Sequence, residues 1–173
     1  MPGNISVRGA RMIKCKVHKF GDNINTDLIS PAQYMELDNA GIAAHAMEGA
    51  DPDFAKKMKP GDCIVAGKNF GSGSSRETAP IALKGCGVSV VIAQFYARIF
   101  YRNCINIGLP VMICDQADEI NEGDELEVEP VTGSIRDLTI GKQYQCKPLP
   151  ANIMEIIEHG GLLGDLEYKM THS

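Results

Sequence analysis

The stretch Gly71-Ser72-Gly73-Ser74-Ser75-Arg76 carries the densest chemistry in the chain. Its glycines let the backbone take positive φ and approach a ligand closely, and N–H groups at a helix start favour an anion. Arg76 adds a planar fork of donors matched to a carboxylate or a phosphate. From these residues alone, two readings stand side by side: a structural turn with a capping serine, or a ligand loop that cradles an anion among hydroxyls. It is not the phosphate loop Gly-x-x-x-x-Gly-Lys-Ser/Thr, because Ser74 follows Gly73 where a lysine is required. Nor is it a Gly-x-Ser-x-Gly nucleophile elbow, because Ser75 and Arg76 come in place of the closing glycine.

A second constellation is Asp22, Thr26 and Asp27, in a segment too rich in turn formers to be regular. Carboxylates there could orient a serine or handle a proton, but Asp in a turn more often bonds its own backbone, and the residues alone favour that plainer role. His18, His45, His159 and His172 show no spacing to Cys or Asp that marks a triad or a metal site, and read as surface or core histidines. Arg98 and Arg102, one helical turn apart, read as solvated charge or as a subunit-contact face. The six cysteines include no Cys-x-x-Cys and no Cys/His pair, so they supply no metal knuckle and read as buried, reduced thiols.

The elements that must hold these residues follow from periodicity. Ile13, Cys15 and Val17 alternate with Lys14, Lys16 and His18, which predicts a strand starting near Met12; residues 1–11 read as a loose leader and 12–173 as a single domain. Asp38 is placed to cap a short helix through Met47, and Asp51-Pro52 to open another ending near Lys59-Pro60-Gly61. Cys63 to Ala66 is a buried strand, so the glycine-serine loop lies at a strand's C-terminal end. A helix over Ala79–Lys84, a strand over Val88–Ala93, a helix over Phe95–Ile107 and a strand over Leu109–Cys114 complete a βαβαβ run. A hairpin follows around Val131-Thr132-Gly133-Ser134, and Pro150 opens a last helix that Gly160-Gly161 ends. This order predicts a layered α/β domain.

Composition bounds the rest. The chain has 173 residues, 44% hydrophobic and 23% charged, which suits one globular domain and excludes disorder, collagen-like repeats and coiled coil. A net charge of −5 argues against a nucleic-acid partner, though not against a local anion site. No apolar run is long enough for a membrane span and no secretory signal is evident, so the expected location is cytoplasmic.

Taken together, Gly21-Asp22-Asn23-Ile24-Asn25-Thr26-Asp27, then Ala66 through Glu77, then Ala97-Arg98-Ile99-Phe100-Tyr101-Arg102-Asn103 and Asn106-Ile107-Gly108-Leu109-Pro110 resemble the small-subunit family of 3-isopropylmalate dehydratase, which corresponds to the swivelling domain of aconitase. The resemblance runs in order from about Met12 to Met170. It implies a three-layer β/β/α domain, and a large partner subunit whose own cysteines carry a [4Fe-4S] cluster, with no cofactor bound by this chain. It further implies that Ser74 is the base that takes a proton from carbon and that Arg76 holds a substrate carboxylate. Thr26 and Asp27 match the first-loop motif and would lie beside that serine, while Ser75 and Gly73 belong to the substrate-binding loop. The activity implied is a hydro-lyase of leucine biosynthesis that interconverts 2-isopropylmalate and 3-isopropylmalate.

Two departures bear on substrate. Thr78 stands where the family commonly has His, keeping a hydroxyl but losing a titratable ring. In the loop after Ser30-Pro31-Ala32-Gln33, family members that bind a tricarboxylate place an Arg, whereas this chain has none between Arg11 and Arg76. Met35 and Leu37 could accept an alkyl group there. The expected substrate is a small dicarboxylic hydroxy acid with an apolar branch, isopropylmalate first and dimethylmalate or another alkylmalate next, ahead of the tricarboxylate homoaconitate. A stand-alone phosphate- or nucleotide-binding module and a non-catalytic scaffold subunit are the readings from other classes.

Overall fold

The computed structural model describes residues 6–7 and 10–172. Within the expected leader, Ser6–Val7 (β1) pairs antiparallel with Ala10–Arg11 (β2); its other residues up to Gly9 lie outside the described residues. Then follow β3 (Ile13–Lys19), three short helices α1 (Thr26–Ile29), α2 (Asn39–Ala44) and α3 (Phe54–Lys57), and β4 (Cys63–Ala66). Helix α4 (Thr78–Cys86), β5 (Val91–Ala93), α5 (Arg98–Asn106) and β6 (Val111–Ile113) complete the βαβαβ run. The chain ends in β7 (Glu125–Glu129), β8 (Ser134–Asp137), β9 (Lys142–Gln145), α6 (Ala151–Glu158) and α7 (Leu162–Thr171).

Strands β3 to β9 form one seven-stranded sheet in the order β6-β5-β4-β3-β7-β8-β9. The half from β6 to β3 is parallel and the half from β3 to β9 antiparallel. Successive strand residues face opposite sides, and each side is buried against something different. Ile64, Val91 and Val111 point to the helices and share a core with Leu83, Phe100 and Met154. Cys63, Val65, Ile92 and Met112 point the other way and pack with Leu126, Val128, Ile135 and Tyr144 of the antiparallel half. The sheet therefore curls over itself beneath a layer of helices, and the β/β/α architecture stands.

The structure corrects several local readings. Helix α3 starts at Phe54 rather than Pro52, because the Asp51 carboxylate accepts from the Asp53 N–H at 3.1 Å and pairs with Lys57 instead of capping a helix at Pro52. Helix α2 does take Asp38 as its cap, through the Gly41 N–H at 2.8 Å, but stops at Ala44, and Met47 lies in the left-handed region at φ 59°. Strand β9 and helix α7 were not expected. The reading of all six cysteines as reduced thiols fails for two of them: Cys114, just past β6, is joined to Cys146, just past β9, by a disulfide that links the two edges of the sheet. Cys15, Cys63, Cys86 and Cys104 are free.

Candidate active site

The glycine-serine loop leaves the C-terminal end of β4, and the segment after β3 is zipped onto it by backbone. The Gly71 N–H donates to the Ile24 carbonyl at 2.7 Å, the Thr26 N–H to the Ser72 carbonyl at 2.8 Å, and the Asn23 N–H to the Lys68 carbonyl at 2.8 Å. Asp22 makes a contact of the plainer sort, its Oδ1 accepting from the Lys68 N–H at 2.8 Å. Gly71 sits at φ 83°, and a Cβ there would collide with the Phe100 ring, so glycine is required for both conformation and space. Gly73, at φ 100°, turns the chain so that Ser74 and Ser75 face solvent.

Thr26 is buried beneath Ser74. Its hydroxyl donates to the Ser74 carbonyl at 3.0 Å and lies 3.3 Å from Ser74 Oγ. Arg76 Nη1 donates to Asp27 Oδ1 and to the Ser30 carbonyl, both at 3.0 Å. These contacts fall on one nitrogen, which leaves the Nη2 and Nε edge of the fork for a carboxylate. The Arg76 hydrogen bond, helped by the Ala32 N–H, holds the Asp27 carboxyl below the usual Asp range, so it stays ionised. Thr78 lies in the first turn of α4, where its hydroxyl accepts from Ser30 Oγ at 3.1 Å. Thr78 thus braces the segment whose carbonyl holds Arg76.

These groups line one wall of a cavity of about 300 Å³, and the start of α5 forms the other, with Arg98, Phe100 and Asn103. The first turn of α5 has no side-chain cap, so its N–H groups and the partial positive charge of a helix N-terminus face the same space. The cavity is suited to an anion carrying a carbon skeleton, set against a serine hydroxyl.

Of the residues singled out from sequence, Ser74, Ser75, Gly73, Arg76 and Thr26 come together in this cavity. Asp27 reaches Arg76 rather than Ser74. Met35 and Leu37 are exposed and follow the turn that begins at Ala32, whose N–H donates to Asp27 Oδ1 at 3.1 Å; neither lines the cavity. Three of the four histidines pair with acids, His18 with Asp62 at 2.8 Å, His45 with Glu48 at 2.7 Å and His159 with Asp165 at 2.7 Å, and none of them lines the cavity. Among the described residues no group of three or more His, Cys, Asp or Glu could hold a metal ion.

Residues 16–116 match the family model of the aconitase C-terminal domain. The chain belongs to that family. Within it, the chain groups with the small subunits of 3-isopropylmalate dehydratase. It is 55% identical over 164 residues to the isopropylmalate/citramalate isomerase small subunit of Methanocaldococcus jannaschii, covering 94% of this chain and 98% of that one. It is also 55% identical over 153 residues to the 3-isopropylmalate dehydratase small subunit of Thermodesulfovibrio yellowstonii, with 87% and 91% covered. The crystal structure of 3-isopropylmalate dehydratase from Methanocaldococcus jannaschii superposes with a TM-score of 0.88 at 45% identity, over 92% of this chain and 96% of that one.

Within this aconitase C-terminal domain, Ser30 and Asn103 have a place in the sequence motifs but no role read from them, and Arg98 one only as surface or contact charge. A topological signal for Arg98 and Asn103 exists. Ligands of parallel α/β sheets gather outside the C-terminal ends of the strands, and α5 begins just beyond the end of β5, beside the loop that leaves β4.

Proposed function

We propose that this chain is the small subunit of a hydro-lyase that interconverts 2-isopropylmalate and 3-isopropylmalate by dehydration and rehydration, in the cytoplasm and in leucine biosynthesis, active only when assembled with its large subunit. The observation that carries the reading is Ser74 Oγ standing over Thr26 Oγ1 in a cavity that also presents the free edge of Arg76. Arg76 takes one substrate carboxylate as a bidentate pair, which fixes the carbon chain across the cavity. Ser74 removes the proton from the carbon next to the one bearing the hydroxyl; the C–H electrons become the double bond, and the hydroxyl leaves with its own bonding pair. Rehydration reverses these steps with the hydroxyl on the neighbouring carbon.

A serine hydroxyl is too weak an acid to ionise unaided at neutral pH, so its alkoxide needs donors already in place. Thr26 Oγ1 lies 3.3 Å from Ser74 Oγ, and Arg76, Arg98 and the uncapped start of α5 line the same cavity. The family resemblance implies a [4Fe-4S] cluster on the large subunit, which would supply Lewis-acid chemistry to the substrate hydroxyl, and among the described residues of this chain no group of cysteines competes for that role. Ile99, 51% exposed in the cavity lining, and Phe95, 58% exposed just ahead of α5, fit a face that the large subunit covers.

Replacing Ser74 with Ala in the assembled enzyme is expected to lower kcat by about 10³-fold with assembly intact by size-exclusion chromatography. Unchanged turnover removes Ser74 as the base. Among substrates, isopropylmalate is expected to exceed dimethylmalate and, by a wider margin, homoaconitate. Preference for the tricarboxylate overturns the substrate argument built on Met35 and Leu37.

A further inference from the structure

A cluster outside the cavity holds the loop that carries Met35 and Leu37. The Tyr34 ring stacks on His45 with centroids 3.6 Å apart and planes 5° from parallel. The Tyr34 hydroxyl donates to Glu48 Oε1 at 2.5 Å, and Glu48 Oε2 lies 2.7 Å from His45 Nδ1. Glu48 therefore grips both members of the stack. Hydrogen bonding from His45, and then from Tyr34, holds its carboxyl below the usual Glu range, so it stays an acceptor for both.

The backbone around Glu48 is pinned in turn. The Met47 N–H donates to the Ile29 carbonyl at 2.8 Å and the Gly49 N–H to the Leu28 carbonyl at 3.1 Å. Contact is so close that a Cβ at Gly49 would lie 2.7 Å from Leu28 Cα. Leu28 directly follows Asp27, the partner of Arg76. The loop is thus tied at two points, at Ala32 by Asp27 and at Tyr34 by Glu48, whose flanking residues are bonded to Leu28 and Ile29 next to Asp27, with Met35 and Leu37 carried just beyond the second tie. The His45 and Glu48 side chains are 33% and 29% exposed, so the pair adds little to global stability, and what it does fix is position.

We propose that Glu48 is a positioning residue: through Tyr34 it sets where Met35 and Leu37 stand relative to the Asp27–Arg76 pair, and so governs how strongly the site prefers a branched alkylmalate over a methyl one. This rests on the alkylmalate reading above. Loss of the grip lets the loop drift, which weakens contact with a branched alkyl group more than with a single methyl and leaves the proton-transfer geometry at Ser74 untouched.

The test compares isopropylmalate with citramalate on the assembled enzyme. Glu48→Ala is expected to raise KM for isopropylmalate about tenfold, with KM for citramalate and both kcat values held within about twofold. Glu48→Gln, which still accepts from the Tyr34 hydroxyl, is expected to restore most of the preference. Should Glu48→Ala fail to assemble, Tyr34→Phe keeps the stack, deletes the hydrogen bond, and is expected to shift the same ratio in the same direction. Equal losses on both substrates, or a fall in kcat at constant KM, overturn the positioning role alone. A wild-type assembly that turns over neither alkylmalate sinks the substrate reading and this inference with it.

Discussion

A hydroxyl carries one proton, and that constrains what Thr26 can do for Ser74. With the Thr26 proton committed to the Ser74 carbonyl at 3.0 Å, its lone pairs face Ser74 Oγ at 3.3 Å, so the resting serine donates. When Ser74 is ionised, the same threonine proton can turn towards Oγ and stabilise the charge. Thr26→Val keeps the buried shape and removes that proton; kcat is expected to fall about 10- to 100-fold, while unfolding loses only about 1 kcal/mol for one hydrogen bond. Steady-state kinetics beside a urea melt checks both, and a kcat unchanged by Thr26→Val shows that the alkoxide is stabilised elsewhere. Ser74 and Arg76 stood out in the sequence through side-chain type and local spacing, whereas Thr26 was marked only by the family resemblance, its segment alone favouring a plainer backbone role. Ser30 was not legible, since it acts through its backbone carbonyl, and the partner of Thr78 was not, since Ser30 lies far away in the chain and only the fold brings the two hydroxyls together.

One pair of acids at the end of a hairpin couples an element to pH. Asp137 closes β8, buried, with Oδ1 accepting from the Thr139 and Ile140 amides and Oδ2 buried without a hydrogen-bond partner. Asp124, also buried, lies beside it just ahead of β7, and burial together with that neighbour pushes the Asp137 carboxyl up to about 6. A proton kept at Oδ2 and donated to Asp124 would supply the missing partner. Because the folded-state value lies above the unfolded one of about 3.9, there is no penalty below pH ~4; stability then falls as pH rises to about 6 and stays lower beyond it, by up to about 3 kcal/mol. Asp137→Asn keeps the acceptor for both amides and adds a permanent donor towards Asp124. It is expected to match the wild type at pH 4 and to exceed it in urea melts at pH 8; a variant weaker at pH 8 contradicts the shared proton. Such elements were partly visible beforehand. The alternation that marks β3 and the hairpin registers in sequence, whereas β9 offers only Tyr144 as a buried residue and α7 leaves Leu163 and Met170 77% and 81% exposed, so neither shows a clean apolar period.

At the scale of the whole molecule, periodicity says which face of a strand is buried but not what buries it. The βαβαβ run was readable from order and composition. That β3 sits at the centre, with the antiparallel half folded back across the parallel one, was not, because strand neighbours are chosen by packing between segments far apart in the chain. The same distance hid the disulfide. Cys114 and Cys146 are 32 positions apart and become neighbours, with Cα atoms separated by 4.6 Å, only once the sheet has curled far enough to bring its two edges together. The bond closes a loop that contains β7, β8 and β9, so its main effect falls on the unfolded chain, and breaking it is expected to remove about 3–4 kcal/mol from the unfolding free energy. Alkylation of the unfolded, unreduced protein should then label four of the six cysteines, and a reductant should lower the urea midpoint. Six labelled thiols and a melt indifferent to reductant would mean that the edges are held by packing and by the Lys147 N–H on the Ile113 carbonyl at 3.1 Å.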